Sequence, residues 1–338
     1  MFHRKVRFAI CLLLTCWAAV VVPASAQHFR QISGSLTTVA VGYTEVWGLN
    51  SSQIYRFNPG TKTFDQITGS FTQVAAGGGT LLQRDDVWAL NPSGAIYRFN
   101  FSTKAFAYVC GIRRSLCRIR PGLSLIQIVV GEGGEDNCHP YEVWGRNVDI
   151  NGSLNIYQYN YCTSLFDYIP TPNPFTVIAT GGGDVWGLDE YAQIWHYNYQ
   201  LPGWTQATGG YFGTLQQIAV GVNDVWGLDG NGAVYRFDPS SNQFNLVQTP
   251  AETAATETQI AAGGNGVWAL YAYGVGISGI NPTYGMVARW DPQVQALMNE
   301  GGCVVQCGSN NLAQIAVGSG GGVWGVTSSG QIYAFVRP

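Results

Sequence analysis

Seven copies of a Val-Trp-Gly-Leu pattern run along this 338-residue chain, and each copy keeps the same neighbours. The tryptophans are Trp47, Trp88, Trp144, Trp186, Trp226, Trp268 and Trp324, spaced by 41, 56, 42, 40, 42 and 56 residues. Ahead of each lies a β-rich run ending in glycine, such as Val39 to Gly42 or Ile178 to Gly181. Behind each lies a second run such as Ile54-Tyr55-Arg56-Phe57. A unit of about 40 residues with four short β-rich runs cannot bury its apolar surface alone, whereas units stacked around an axis can. The repeat therefore predicts an all-β chain folded as a seven-bladed β-propeller of four-stranded blades.

Within the second unit the strands read Phe71 to Ala76 (a), Asp86 to Leu90 (b), Ala95 to Phe99 (c) and Phe106 to Val109 (d). Asn, Asp, Gly and Pro at the b–c and c–d junctions supply turn backbone angles. In Ile-Tyr-Arg-Phe the Ile and Arg point one way and the Tyr and Phe the other, so both faces carry bulk. Blades covered on both faces by their neighbours need that pattern, and the low charged fraction of 11% agrees with little solvated strand surface. The seventh unit stops at strand c, Gln331 to Phe335, while Phe29-Arg-Gln-Ile-Ser-Gly34 matches the strand d sequence Phe64-Asp-Gln-Ile-Thr-Gly69. The N-terminal strand is thus expected to pair with the last blade and close the ring, leaving no open edge at the join.

Residues 1–26 read as a secretory signal peptide, with Arg4, Lys5 and Arg7 before an apolar run and Ala24-Ser25-Ala26 at the cleavage site. The apolar run is too short for a stable membrane insertion. The propeller domain is then 27–338, secreted into an extracellular or periplasmic space. Fourteen basic residues remain there against 20 acidic ones, a formal charge of −6, which argues against nucleic-acid binding. Six cysteines remain in an oxidising compartment. The blade register groups them as local disulfides Cys110–Cys117, Cys138–Cys162 and Cys303–Cys307. No CxxC pair favours zinc, and no cofactor is indicated.

The segments Gly320 to Phe335, Asp184 to Asp189 with Ile194 to Tyr197, and Asp224 to Gly232 with Val234 to Phe237 resemble the tectonin β-propeller repeat, over about residues 28 to 338. The resemblance implies a non-catalytic, lectin-like protein that binds surface carbohydrates, lipopolysaccharide and methylated sugars among them. A monomeric or weakly associated chain is expected, and the arginine-rich loop 110–122 motivates anionic glycans as targets. A protein-interaction or structural scaffold is the alternative, and a propeller enzyme a weaker one.

Three groups of residues are candidates for ligand contact. The seven tryptophans can stack on sugar rings, although their place inside strand b favours packing between blades, and mixed use stays open. Three enlarged loops, 110–122, 271–286 and 299–311, fall on the rim of the d–a and b–c connections. The first gathers Arg113, Arg114, Arg118 and Arg120 into an anion-reading patch, and the second carries Tyr271, Tyr273 and Tyr284. Acidic residues stand two before the tryptophan in five units, at Glu45, Asp86, Glu142, Asp184 and Asp224, where they are expected to accept the N–H groups of the a–b turn. The mature chain holds only His28, His139 and His196, in unrelated contexts, and no nucleophile elbow or matched carboxylate pair outside the fold's own symmetry.

Overall fold

A computed structural model describes residues 28–111, 122–132, 137–207, 215–247, 255–273, 284–299 and 312–336. These residues form seven four-stranded antiparallel sheets. Blade 1 holds strands Thr38–Val41, Val46–Asn50, Gln53–Asn58 and Thr63–Ser70; blade 2 holds Gln73–Gly77, Asp86–Leu90, Ile96–Asn100 and Ala105–Val109. Blade 3 holds Gln127–Gly131, Glu142–Val148, Leu154–Asn160 and Leu165–Ile169; blade 4 holds Phe175–Gly181, Asp184–Asp189, Ile194–Asn198 and Gly203–Gln206. Blade 5 holds Leu215–Val220, Val225–Asp229, Val234–Asp238 and Gln243–Leu246; blade 6 holds Ala255–Gly263, Gly266–Tyr273, Tyr284–Asp291 and Ala296–Asn299. Blade 7 takes Leu312–Val317, Val323–Thr327 and Ile332–Val336 from the end of the chain, and its strand d is His28–Ile32. The expected closure is present, with His28 opposite Val336 and Ile32 opposite Ile332.

Three recurring devices hold blade to blade. The first is aromatic. Each strand b tryptophan meets an aromatic residue of strand c in the next blade edge-on, and all but Trp226 also meet one of strand d: Trp47 meets Phe99 and Phe106, Trp88 meets Tyr159 and Phe166, and Trp186 meets Phe237 and Phe244. The closing strand supplies this contact itself at Trp268, which meets Phe29 and Phe335. Edge-to-face geometry of this kind adds about 0.5–1.5 kcal/mol per pair beyond area burial.

The second device is an amide clamp that the sequence reading did not anticipate. A glutamine at the start of strand a reaches the strand a backbone of the next blade and both donates and accepts there. Gln73 bonds Ile128 O and N, Gln259 bonds Ile315 O and N, and Gln314 bonds Val39 O and N across the seam. Such clamps pair backbone groups that the inner strands otherwise leave without a ladder partner.

The third device is the glycine that ends each strand a. A Cβ on Gly77 would sit 2.3 Å from Val130 O, and one on Gly318 would sit 1.9 Å from Gly42 O. At Gly77, Gly181, Gly263 and Gly318 the backbones of successive blades therefore touch beside the axis, and the space left there is about 60 Å³. The repeat's glycine is a close-approach residue, not a turn residue.

Cys138 bridges Cys162, tying the a–b loop of blade 3 to its c–d turn as expected. Cys110 is also disulfide-bonded; its partner, with Cys117, Cys303 and Cys307, lies outside the described residues, as do residues 1–27. One loop assignment is corrected. Residues 271–273 and 284–286 are not loop but extend strands b and c of blade 6, with Tyr273 opposite Tyr284. A cross-strand ladder continues as long as both chains can keep exchanging hydrogen bonds, which the glycine-rich composition of 271–286 hid.

Candidate functional site

The strand c sequence Tyr-Arg-Phe followed by Asn or Asp builds a groove on the outer wall wherever it faces the next blade. The arginine stands directly opposite the strand b tryptophan, as Arg56 opposite Trp47, Arg98 opposite Trp88 and Arg236 opposite Trp226. Its guanidinium lies 5.6–5.8 Å from that indole and reaches across to an aromatic residue of the next blade. These partners are Phe101 at 5.4 Å, Tyr161 at 4.9 Å and Trp290 at 5.6 Å. The following Asn58, Asn100 or Asp238 folds its side-chain oxygen onto backbone N–H groups of the c–d turn, which fixes the lip of the groove.

Three grooves made this way are equivalent residue for residue. Between blades 1 and 2 the lining includes Arg56, Asn58, Phe99 and Lys104; between blades 2 and 3, Arg98, Asn100, Tyr159 and Ser164; between blades 5 and 6, Arg236, Asp238, Trp290 and Gln295. Their volumes are about 300, 690 and 650 Å³. Lys104, Ser164 and Gln295 each hold a left-handed backbone, with φ of 54°, 56° and 52°. Tyr108, Leu246 and Val294 expose apolar surface beside them.

The grooves differ in charge. Glu45 takes Arg56 in a two-pronged pair at 2.6 and 2.7 Å. Asp86 accepts from Arg98 at 2.8 Å, from the Trp88 indole N–H at 2.8 Å and from the Tyr161 hydroxyl. Burial pulls the Arg98 guanidinium down, but Asp86 beside it more than offsets that and its pKa is raised. Burial and the same carboxylate push the Tyr161 hydroxyl far above its ordinary range. Arg236 is exposed and lies between the Trp226 and Trp290 rings, with no ion pair among the described residues. The third groove is therefore the one whose arginine is not neutralised by a carboxylate in contact with it. Aromatic edges, guanidinium donors and turn oxygens at one surface suit a hydroxylated ring, whose C–H face packs on the aromatic while its hydroxyls meet the polar groups. No group of three or more metal-binding side chains occurs among the described residues.

The residues singled out in the sequence fare differently. The repeated tryptophans are sealed between blades: six are at most 1% exposed, and Trp324 is 8% exposed. An indole packed on both faces has no surface to offer a sugar, so stacking on these rings is corrected to packing. Tyr271 is buried in the core between blades 5 and 6; the side chains of Tyr273 and Tyr284 are not among those described. Arg113, Arg114, Arg118 and Arg120 lie outside the described residues.

The acidic positions also change role. Glu45 and Asp86 hold strand c arginines, Glu142 accepts from Trp144, Gln158 and the Tyr199 hydroxyl, and Asp184 meets His196 at 3.1 Å. His196 stacks on Trp186 at 4.5 Å, which agrees with the packing slot expected for it. The turn N–H groups of blade 1 are instead taken by Asp85, one residue earlier in blade 2. Its carboxylate accepts from Tyr43, Thr44 and Glu45 at 2.6–2.8 Å. The groove arginines were legible only as a repeated slot in strand c; the signal that marks them is the Asn or Asp that follows the phenylalanine.

The tectonin resemblance is borne out: the family model described as Tectonin domain matches residues 18–168. No curated protein matches the chain. Among solved structures, the chain is similar to YCF48 bound to D1 peptide, at 12% identity and a TM-score of 0.61, covering 94% of this chain and 97% of that one. Human WBSCR16 follows at 10% identity and a TM-score of 0.58, covering 91% and 88%. YCF48 from Cyanidioschyzon merolae aligns at 12% identity and a TM-score of 0.57, covering 91% and 98%. At such identities the likeness is one of fold.

Proposed function

We propose that this tectonin β-propeller is a secreted, non-catalytic carbohydrate-binding protein that engages surface glycans through repeated outer grooves. The observation that carries the reading is the recurrence of one groove at three blade joints with equivalent lining residues. Shallow sites repeated on a rigid ring gain avidity when the target presents sugars at matching spacing, even where each site alone is weak. The Cys138–Cys162 disulfide is compatible with an oxidising compartment. No helix among the described residues is long and apolar enough to cross a membrane.

The test is a glycan array with purified, folded protein, followed by titration of the best ligands against R98A and R236A. Binding to microbial or methylated glycans that weakens in these variants supports the reading. Silence across the array would sink it. Capture of a protein partner that sugars do not displace would instead favour the scaffold alternative.

A further inference from the structure

Six blades place a buried aliphatic residue two after the tryptophan: Leu49, Leu90, Leu188, Leu228, Leu270 and Val326. Blade 3 places Arg146 there. Its guanidinium enters a cavity of about 720 Å³ spanning blades 2, 3 and 4 on the rim of the d–a linkers and b–c turns. No acidic residue lines that cavity among the described residues; Thr72, Asn91, Ser93 and Ser124 face it with neutral polar groups. The glutamine clamp bends to the arginine. Gln127 still donates to Ile178 O, but its acceptor oxygen takes the Arg146 Nε–H at 3.3 Å instead of the next blade's backbone N–H. The clamp thus orients the fork and leaves both terminal nitrogens of Arg146 without a partner among the described residues. Burial alone acts on this guanidinium and lowers its pKa, with no carboxylate to offset it.

An arginine that is partly desolvated, unpaired and held in place is costly unless an anion completes it. We propose that the Arg146 cavity is a binding site for a carboxylate-bearing, hydroxylated small molecule of sugar-acid size, distinct from the outer grooves. A carboxylate matches the guanidinium fork with two parallel hydrogen bonds. It also carries one negative charge, which Arg146 balances, whereas a phosphate monoester near −2 would leave charge uncompensated by Arg146, the one cation among the described lining residues. The volume lies in the range that encloses a small ligand rather than a bare ion.

The experiment is calorimetric titration of the full mature chain with glucuronate, glucose and glucose 6-phosphate, repeated on R146L, R146K and R30S. R146L restores the residue that the repeat uses elsewhere, so it should fold normally. R30S removes a distant exposed charge on the closing strand. Glucuronate should bind at least roughly tenfold more tightly than either other sugar. R146L should abolish that binding, R146K should weaken it and R30S should keep it. Equal binding of glucose 6-phosphate, binding that survives in R146L, or no glucuronate binding by folded protein would each overturn the proposal. Because the readout follows Arg146 and a soluble acid, failure of the outer grooves to bind neutral glycans leaves it standing.

Discussion

The joint between blades 2 and 3 and the seam between blades 7 and 1 carry out the same task with different means. At the first, Trp88 is fully buried, its N–H is held by Asp86, and Arg98 and Tyr161 complete a polar cluster over it. At the seam the acid is replaced by Gly322 and the arginine by Ala334, and Trp324 keeps 8% exposure against Phe57 and Phe64. What both joints share is edge-on aromatic packing, a two-way glutamine clamp and backbone contact at the strand a glycine. The difference separates two layers of design. Apolar packing and backbone contact make the ring, while carboxylate–arginine clusters are added at two of the three outer grooves.

That division is open to measurement. W88A should cost about 3–5 kcal/mol in urea unfolding, since it removes a buried aromatic residue and strips Asp86 of a donor. W324A should fall at the low end of that range, because no polar group depends on it; equal losses would erase the distinction between the joints. D85A leaves three backbone donors of the blade 1 turn unpaired and should cost about 3 kcal/mol, with faster amide exchange at Tyr43 to Glu45. R146L should move the other way, raising stability by about 0.5–2 kcal/mol in thermal unfolding, as aliphatic residues at the other blades imply. The smallest effect concerns Glu142, whose pKa is raised by burial, with Tyr199 and Trp144 opposing. A carboxyl with a raised folded pKa favours the fold while protonated and loses that contribution as pH rises through the folded value. The wild type should therefore lose stability relative to E142Q as pH climbs from the ordinary carboxylate range to above that value. Parallel pH profiles for the two proteins would refute the assignment.

The fold was legible because the same residues recur in register. Seven tryptophans fix the blade count, and the echo of Phe64 to Gly69 in Phe29 to Gly34 fixes the closing strand. The Cys138–Cys162 bridge followed from that register. Side-chain roles were less legible, because period two alone says which residues share a face but not what covers it. The tryptophans look available for sugars until the next blade's aromatic residues are placed on them. Asp85 and Asp86 are adjacent in sequence yet face opposite neighbours, Asp85 the turn of blade 1 and Asp86 the Arg98 of its own blade and Tyr161 of blade 3. The strand a glutamines repeat visibly, but their partners lie about 40 to 275 residues away.

The closing strand also sets the order of assembly. Every other blade joins residues close in the chain, and its hairpins can form as soon as they exist. Blade 7 must bring His28 to Val336. The extra loop-closure entropy is modest, about 2 kcal/mol for a loop some eightfold longer than one repeat. Time, rather than free energy, is the larger burden, because a strand made early must stay unpaired until its partner, made among the last, arrives. Until then its exposed edge is a template for pairing with another copy of the chain, so the vulnerable species is the open ring of six finished blades.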